Sequence, residues 1–478
     1  MPQSDVKNKG RVYTPRYLVA ETLDFAGYVA GEISRKHVME NSCGDGAFLC
    51  EIVRIYCEDF LQRQQDTAAL AQELEEFIHG IEIEPAEAQK CRENLDAVAA
   101  KFGLKNLHWD ILTADALSVG KFDGQMDFVV GNPPYVRIHN LENLYDTAKK
   151  FSFAQRGMTD LFIVFFELGF RMMKRNGGKM ALITPSSWFA SKAGIVLRRY
   201  ISAHENLAGI IDLEHFQAFN AMTYSTISLF TSGEPSRYVK YFTFDGAARC
   251  RKFCETLDYA DFRVGNEFYF ADHATLDFLR EVRARDDEPL VRVKNGFATL
   301  ADKIFVGEFA FSAGTIDVVK SSTGQWRKCI FPYDNAGNAV PLEEIKKKNP
   351  QLFAYFLANE ERLKNDRDNE DKTNWHLFGR TQAIADVGRK KIAINSLIRD
   401  VADIKLVPVP AGCGVYGGLY IVSDLDFENI KKALCSEVFL RYVKSLKNYR
   451  SGGYYTFGSR DIELFLNYRL EEMSTTAA

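Results

Sequence analysis

The sequence predicts an α/β protein: a doubly wound, mostly parallel sheet in its first half and a separate α+β domain in its last third. Two observations point to the sheet. Short apolar runs alternate with amphipathic stretches through the first 230 residues, and most of the runs stop at a glycine, a proline or an acidic residue. A third observation separates the domains. Beyond about residue 290 the alternation gives way to irregular loops rich in Tyr and Phe, with Lys/Arg roughly balanced by Asp/Glu.

The elements follow in order. HVME (37–40) is a strand that enters a glycine turn. From Ala47 to about Gln64, Phe48, Leu49, Ile52, Val53 and Tyr56 recur near a period of 3.6, which predicts a helix. FIHGIEIE (77–84) is a strand ended by Pro85, and a helix runs from there to about Ala100. MDFVV (126–130) is a strand stopped by Gly131. A helix spans about Asp160 to Lys174, and its apolar stretch LFIVFFELGF (161–170) reads as buried. GKMALITP (178–185), LAGIIDL (207–213) and TYSTISLF (223–230) continue the strand series. Polar breaks at SGEPSR (232–237) and RARDDEP (283–289) set the expected boundaries: a first domain at 1–235, a linker or extension at 236–290, and a last domain at 291–478.

Composition narrows the class. With 478 residues, 46% of them hydrophobic, the chain supports a sizeable core, which argues against global disorder. A formal charge of −4 argues against a uniformly basic nucleic-acid coat but leaves room for a local basic cleft. The nine cysteines contain no paired C-x2-C set. Cys250 and Cys254 come nearest, so no metal is expected and reduced thiols are. The N-terminal segment MPQSDVKNKGRVYTP has no apolar core of a signal peptide, and no uncharged apolar run reaches the roughly 18 residues of a membrane span. A soluble, cytoplasmic protein with no membrane partner is expected.

Four motifs carry chemistry. In MDFVVGNPPYVRI (126–138), two prolines stiffen the turn after a strand and remove two backbone donors. One reading is a strand terminator with a packed tyrosine. The other is acceptor chemistry. An aryl amine is a poor nucleophile because its lone pair is delocalised. The Asn132 side-chain oxygen and the Pro133 carbonyl would draw its hydrogens and favour a pyramidal nitrogen, with Tyr135 stacked on the ring. VMENSCGDGAFLCEI (38–52) places the acidic Glu40 at a strand end, then Gly44 and Gly46, then a helix. Such a turn lets backbone approach a nucleotide-like ligand, and the absence of Gly-Lys-Ser/Thr excludes a phosphate-cradling P-loop. GIEIEP (80–85) offers Glu82 and Glu84 on one face. An acidic residue there can hold ribose hydroxyls or simply face solvent. In TADAL (113–117), Asp115 reads equally as a partner for an adenine amine or as a turn cap. Thr14-Pro15 reads as a helix cap followed by proline at the first helical position.

Taken together, GRVYTP, ENSCGDGAFL, GIEIEP, ADAL and GNPPYV resemble, in that order, the gamma class of adenine-N6 DNA methyltransferases, the Taq-type modification methylases. The resemblance is strong over about residues 9–230 and diffuse beyond. It implies a Rossmann-like S-adenosylmethionine-dependent methyltransferase sheet with a C-terminal target recognition domain. It implies S-adenosyl-L-methionine as cofactor, held by Thr14, Glu40, Cys43, Gly44, Gly46, Glu82 and Asp115: Thr14 on the methionine part, Glu82 on the ribose, Asp115 on the adenine amine. Asn132, Pro133 and Tyr135 would handle the target base. Phe219, with Phe216 as fallback, would stack on its other face. Two positions depart from the family pattern: Asn41 stands where proline is usual, and Ser42 where alanine is usual. The dozen residues before the Thr-Pro motif are too few for a fused N-terminal nuclease.

The target amine of such an enzyme lies inside a duplex, so the base must be flipped out at a cost of a few kcal/mol. Stacking on aromatic side chains recovers roughly 1–3 kcal/mol per base. Double-stranded DNA is thus the expected partner, alongside a separately encoded restriction endonuclease if the chain is the modification half of a restriction-modification system. RKKIAINS (389–396) and KSLKNYRSGGYYTFGSR (444–460) are basic and interleaved with aromatic residues. They nominate Lys390, Lys391, Lys447, Arg450 and Arg460 as DNA contacts, against the alternative of solvated faces. GFATLADK (296–303) is similar to the family's segment that opens the specificity domain. The competing functions are methylation of RNA, of a protein glutamine or of cytosine N4, and an idle DNA-binding subunit.

Overall fold

The computed structural model describes residues 14–141, 144–216, 224–283, 288–365 and 373–477. The chain divides into two compact units at Asp277/Phe278. In the first, helix α1 (Arg16–Ala26) precedes strand β1 (Val38–Glu40). Next come α2 (Ala47–Arg63), α3 (Thr67–Phe77), β2 (Ile78–Glu82), α4 (Pro85–Ala99), β3 (Asp110–Thr113) and β4 (Phe128–Gly131). The series continues with α5 (Leu161–Met172), β5 (Lys179–Pro185), α6 (Ile195–His204), β6 (Leu207–Asp212), β7 (Ser225–Thr231), β8 (Tyr238–Asp245) and β9 (Cys250–Asp258).

One sheet holds all nine strands in the order β3-β2-β1-β4-β5-β7-β6-β8-β9. From β3 to β5 every pairing is parallel, whereas β7 runs antiparallel between β5 and β6. This is the Rossmann-like methyltransferase sheet that the motifs lead one to expect. The order reverses beside β1, so the crevice between the carboxyl ends of β1 and β4 is the ligand-binding position of an open α/β sheet. Sequence and packing agree on why these strands form. Val38, Met39, Val129, Val130, Ala181, Leu182 and Ile183 are all fully buried. A parallel sheet covered on both faces needs such near-continuous apolar runs. Helix α5 is as buried as its composition predicts, with Phe162, Ile163, Val164 and Phe166 withdrawn from water.

The opposite, amino end of the sheet is closed by paired polar groups. His37 Nδ1 meets His79 Nε2 at 2.9 Å, His79 Nδ1 meets Asp110 at 2.8 Å, and Lys121 reaches the same carboxylate at 2.9 Å. Burial, with His79 beside it, holds the His37 imidazole below its ordinary value.

The expected linker or extension at 236–290 contains regular structure. Residues 238–258 form the hairpin β8–β9, which extends the sheet, with β8 parallel to β6. The strand pattern is obscured because β9 is an edge strand: of its nine residues Leu257 alone is buried, and Cys250, Lys252, Phe253 and Cys254 are exposed. Helices α3 and α6 and the short strand β3 also form where no element is expected from the sequence. The second unit packs its own core around Phe297, Phe305, Phe356, Phe378 and Tyr420. It contains one four-stranded sheet in the order Arg292–Asn295, Leu419–Val422, Lys391–Ile394, Leu406–Val409, a second of four strands and a third of three.

Gly46 opens α2 with φ +88°, and a Cβ placed there would lie 2.8 Å from the Cys91 sulfur. Gly103 has φ +81° over open space. Alanine at either site costs about 1–2 kcal/mol for the left-handed backbone, and Gly46→Ala must also displace Cys91. Urea denaturation should therefore show Gly46→Ala as the less stable of the two. Equal midpoints would mean that the close packing of α2 on α4 is not what selects glycine at 46.

Candidate active site

The carboxyl ends of β3, β2, β1 and β4 line up along one edge of the sheet, and each is followed by a polar residue of the motifs. Asp115 lies just past β3, Glu82 ends β2, Glu40 ends β1 and Asn132 follows β4. All four, with Thr14, Cys43 and Gly44, line one cavity of ≈ 310 Å3. Adjacent strands are about 4.8 Å apart, so the three intervals from β3 to β4 span roughly 14 Å.

The loop after β1 is held from β2. The Cys43 amide donates to the Ile81 carbonyl at 2.9 Å, and the Gly46 amide turns back to Cys43 at 2.8 Å. Glu82 uses both carboxylate oxygens on backbone, accepting from Gly44 N and from Glu84 N at 2.9 Å each. Glu82 thus fixes the glycine loop as well as facing the cavity. Gly44 has φ +52°, and a Cβ there would meet nothing within 4 Å, so the cavity reaches down to bare backbone.

Asp115 is a turn cap that also faces the cavity. Its carboxylate caps a short turn, accepting from Leu117 N at 3.0 Å and from Ser118 Oγ at 3.1 Å, and the residue also lines the cavity. Thr14 differs from expectation. Helix α1 begins at Arg16 with Pro15 at its cap position, and no side chain caps it. Instead, Thr14 Oγ1 accepts a hydrogen bond from Asn132 Nδ2 at 3.1 Å. That bond orients the Asn132 amide and leaves Asn132 Oδ1 buried without a partner.

Glu40 is 3% exposed, and its Oε2 also lacks a partner. Burial pushes its carboxyl well above the usual carboxylate range, the neighbouring Cys91 thiol adds to the shift, and a hydrogen bond from the Leu49 backbone offsets part of it. Cys43 is buried with its thiol hydrogen-bonded to Cys91, which together with burial keeps it protonated. Of the tetrapeptide, Asn132 and Pro134 face the cavity and Pro133 is buried. Tyr135 is outside the cavity lining. Its hydroxyl donates to the Ile183 carbonyl at 3.2 Å, and its ring sits edge-on to Phe162 at 6.2 Å. Phe219 lies outside the described residues. The fallback, Phe216, packs among Tyr17 and Phe244, at 6.1 and 5.1 Å between ring centroids, and so belongs to the core.

Sequence reasoning missed Ile83, which is 47% exposed at the cavity wall. The strand stops at Glu82, so Ile83 is not tucked under a helix. A large apolar residue directly after the acidic one was the available signal. Asn41 and Ser42, noted in the sequence only as departures from the family pattern, also line the cavity.

In the second unit the structure removes Lys391 from the candidate DNA contacts. Its side chain is 5% exposed, and its ammonium donates to the carbonyls of Asp386, Val387 and Arg389 at 2.7, 3.3 and 2.8 Å. It staples the turn before its own strand. Lys390, Arg450 and Arg460 are exposed on separate elements, and Lys447 is half-buried with φ +54°. In the GFATLADK segment, Phe297 stacks on Phe378 at 4.7 Å and Thr299 is fully buried, bonded to Asp302. Among the described residues no helix is long and apolar enough to cross a membrane.

The raised Glu40 value has a sign that can be checked. Below the ordinary carboxylate value of about 4.5 both folded and unfolded states are protonated and nothing is lost. As pH rises from there through the raised folded value, the unfolded state releases its proton first, so stability falls. Glu40→Gln should therefore match wild type in melting temperature near pH 4 and exceed it progressively toward pH 8 in ligand-free protein. A constant difference across that range would mean that Glu40 is not held protonated by burial.

The comparisons with known proteins agree with this architecture. Residues 33–219 match the family model of the Eco57I restriction-modification methylase. The type II methyltransferase M.XhoI of Xanthomonas vasicola is 28% identical over 48% of this chain and 43% of its own length, so the chain spans less than half of that relative. M.PaeR7I of Pseudomonas aeruginosa is 24% identical over 95% of this chain and 85% of its own. Among solved structures, the type IIL restriction-modification enzyme MmeI in complex with DNA shares the fold, with a TM-score of 0.62 at 14% identity over 93% of this chain and 63% of that one. Over residues 33–219 the chain is thus similar to the methylases of the Eco57I restriction-modification family.

Proposed function

We propose that this chain is a site-specific DNA methyltransferase that moves a methyl group from S-adenosylmethionine to the N6 amine of a flipped-out adenine, as the modification component of a restriction-modification system. The observation that carries the reading is the Asn132 amide. Its nitrogen is committed to Thr14, and its oxygen is buried, unpartnered and on the cavity wall. A buried acceptor without a donor costs about 1–3 kcal/mol, which an amine hydrogen would recover. The type II methyltransferases among the relatives support the DNA substrate, and the DNA complex of MmeI supports duplex binding.

The order of strand ends suits the methyl donor laid along the sheet edge. Asp115 would meet the adenine end and Ile83 its face. Glu82 would meet the ribose, and Glu40 with Thr14 the amino-acid end. The bare backbone at Gly44 and the orphaned Glu40 oxygen fit such a ligand, whose positive charges are a sulfonium and an ammonium. The donor, when bound, supplies an activated methyl carbon. The chain's own residues do the rest. Asn132 Oδ1 and the Pro133 carbonyl would accept from the two amine hydrogens and free the nitrogen lone pair. Tyr135, anchored through its hydroxyl, would offer its ring to the base, and Phe219 the opposite face. Because acidity rises sharply once the amine carries the methyl group, no strong base is needed at the nitrogen. Rate then comes from positioning and from acceptors set in advance.

Methyl transfer from radiolabelled S-adenosylmethionine to unmethylated genomic DNA, followed by nucleoside analysis, tests the reading. Wild type should label N6-methyladenine, and Asn132→Ala should lower the rate by about 10²–10³-fold, the loss typical of one preorganised polar group. Label on RNA or on a protein glutamine would overturn the substrate. Label on cytosine would overturn the target atom. An absence of both transfer and donor binding would leave a DNA-binding subunit.

A further inference from the structure

The three-stranded sheet of the second unit has two unlike faces. Its strands are Leu397–Ile398, Tyr454–Thr456 and Tyr449–Arg450, with Tyr454–Thr456 in the middle. Side chains alternate between the two faces of a strand. Ile398, Tyr455 and Tyr449 are in register, and Ile398 and Tyr449 are buried, so this row faces the core. The next row faces outward. Arg450 is the registered partner of Tyr454 on one side. Arg399 follows Ile398 on the other, its guanidinium 5.2 Å from the centroid of the Tyr454 ring. Both arginines are exposed. Among the described residues no carboxylate pairs with either guanidinium. Arg450 Nη1 donates to the Tyr449 carbonyl at 3.1 Å. The carboxylates beside Arg399 are engaged by backbone amides: Asp403 accepts from Arg399 and Asp400, and Asp400 accepts from Ala402.

We propose that this face docks in the major groove of the target duplex and that Arg399 sets part of the recognised sequence, its fork held by the Tyr454 ring so that it meets the O6 and N7 acceptors of a guanine. This rests on the DNA methyltransferase reading above. Charge selects the occupant, since two guanidiniums without a carboxylate partner on one face suit a polyanion. Leu397, two residues before Arg399 and 44% exposed, extends the face with an apolar side chain that a docked duplex covers. Shape agrees. The strands Tyr449–Arg450 and Tyr454–Thr456 form a two-stranded ribbon, which the major groove admits. The tip between them is Ser451, Gly452 and Gly453, with φ +76° and +77° at the glycines, so no large side chain stands there. Stacking selects reading over anchoring. A phosphate is satisfied by a mobile cation, whereas a base edge needs a planar fork in a fixed orientation, and an aromatic face fixes the plane of a guanidinium. Tyr454 is then a positioning residue, and Arg450 adds charge across the row.

Mapping the methylated bases in genomic DNA treated with wild type defines the recognised sequence. A set of duplexes with each base pair of that sequence changed in turn then gives kcat/KM position by position. At one G·C position, the ratio of kcat/KM between the cognate and the changed duplex should be smaller in Arg399→Ala than in wild type by about 5–150-fold, the worth of one bidentate arginine–guanine pair. Discrimination at the other positions should hold. Arg399→Lys keeps the charge without the fork and should fail at the same position. Tyr454→Leu should narrow the ratio there and nowhere else, and Tyr454→Phe, which keeps the ring, should restore it. The melting temperatures of both Arg399 variants should match wild type, because the side chain faces solvent; if Arg399→Ala does not fold, Arg399→Lys decides. A uniform loss over all duplexes that Arg399→Lys repairs would make Arg399 a phosphate contact, and discrimination equal to wild type would make the face a solvated one; either result overturns the inference. If wild type puts no methyl group on DNA, the reading of the function itself falls, and this inference with it.

Discussion

Strands β1 and β4 lie side by side with their apolar side chains withdrawn from water, so the polar chemistry they offer is confined to the residues at which each one stops. Everything at the candidate site follows from that constraint. The sheet reverses its order beside β1, which keeps the α2 and α4 crossovers on one side from covering the crevice. Glu40 and Asn132 therefore sit on neighbouring strand ends. The amino end of the sheet obeys the same constraint with the opposite outcome, since its polar groups satisfy one another and offer nothing to a ligand.

Several site residues act twice, and this changes how they are to be understood. Glu82 spends hydrogen bonds on Gly44 and Glu84, and Asp115 spends them on Leu117 and Ser118. Glu82 is held by two backbone amides and Asp115 by one amide and one hydroxyl, so the fold itself sets the orientation of each carboxylate. Thr14 works similarly. Its hydroxyl takes one half of the Asn132 amide and thereby decides which half faces the cavity. A polar side chain fixed at one end and open at the other is the form of preorganisation on which acceptor-based catalysis relies. By contrast, Asn41 is fixed at neither end of its amide.

How much of this was legible depended on whether a signal lay in local pattern or in tertiary context. The strands of the parallel core were readable because burial on both faces demands unbroken apolar runs, and their motifs were readable because such strands act only at their ends. β8 and β9 were not, because an edge hairpin exposes most of its side chains and its composition approaches that of a loop. Thr14 was misread as a helix cap because Ser or Thr before Pro is a strong local signal, and nothing local announces a partner 118 positions away. Lys391 was misread because a basic run looks alike whether its ammonium meets a phosphate or three carbonyls. Of the tetrapeptide, Asn132 and Pro134 line the cavity and Tyr135 does not. Its hydroxyl bond to Ile183 on β5 sets it beyond the cavity lining, a consequence of sheet order that no dipeptide pattern carries.

The buried atoms without partners join the energetics of the fold to its chemistry. Glu40, Asn41, Ser42 and Asn132 each hold at least one such atom on the cavity wall, and every one of them costs the ligand-free fold part of the desolvation energy of a polar group. The apolar sheet behind them tolerates this because its stability comes from elsewhere, from strands whose side chains never meet water. A ligand that supplies the missing partners recovers that cost on binding. Its affinity for the folded chain then appears as added stability, in proportion to the logarithm of its concentration over its dissociation constant. On the cavity wall such atoms cluster, whereas His37, His79 and Asp110 at the amino edge are joined to one another. The unpartnered atoms on the cavity wall therefore tie the stability of the first unit to what the cavity binds.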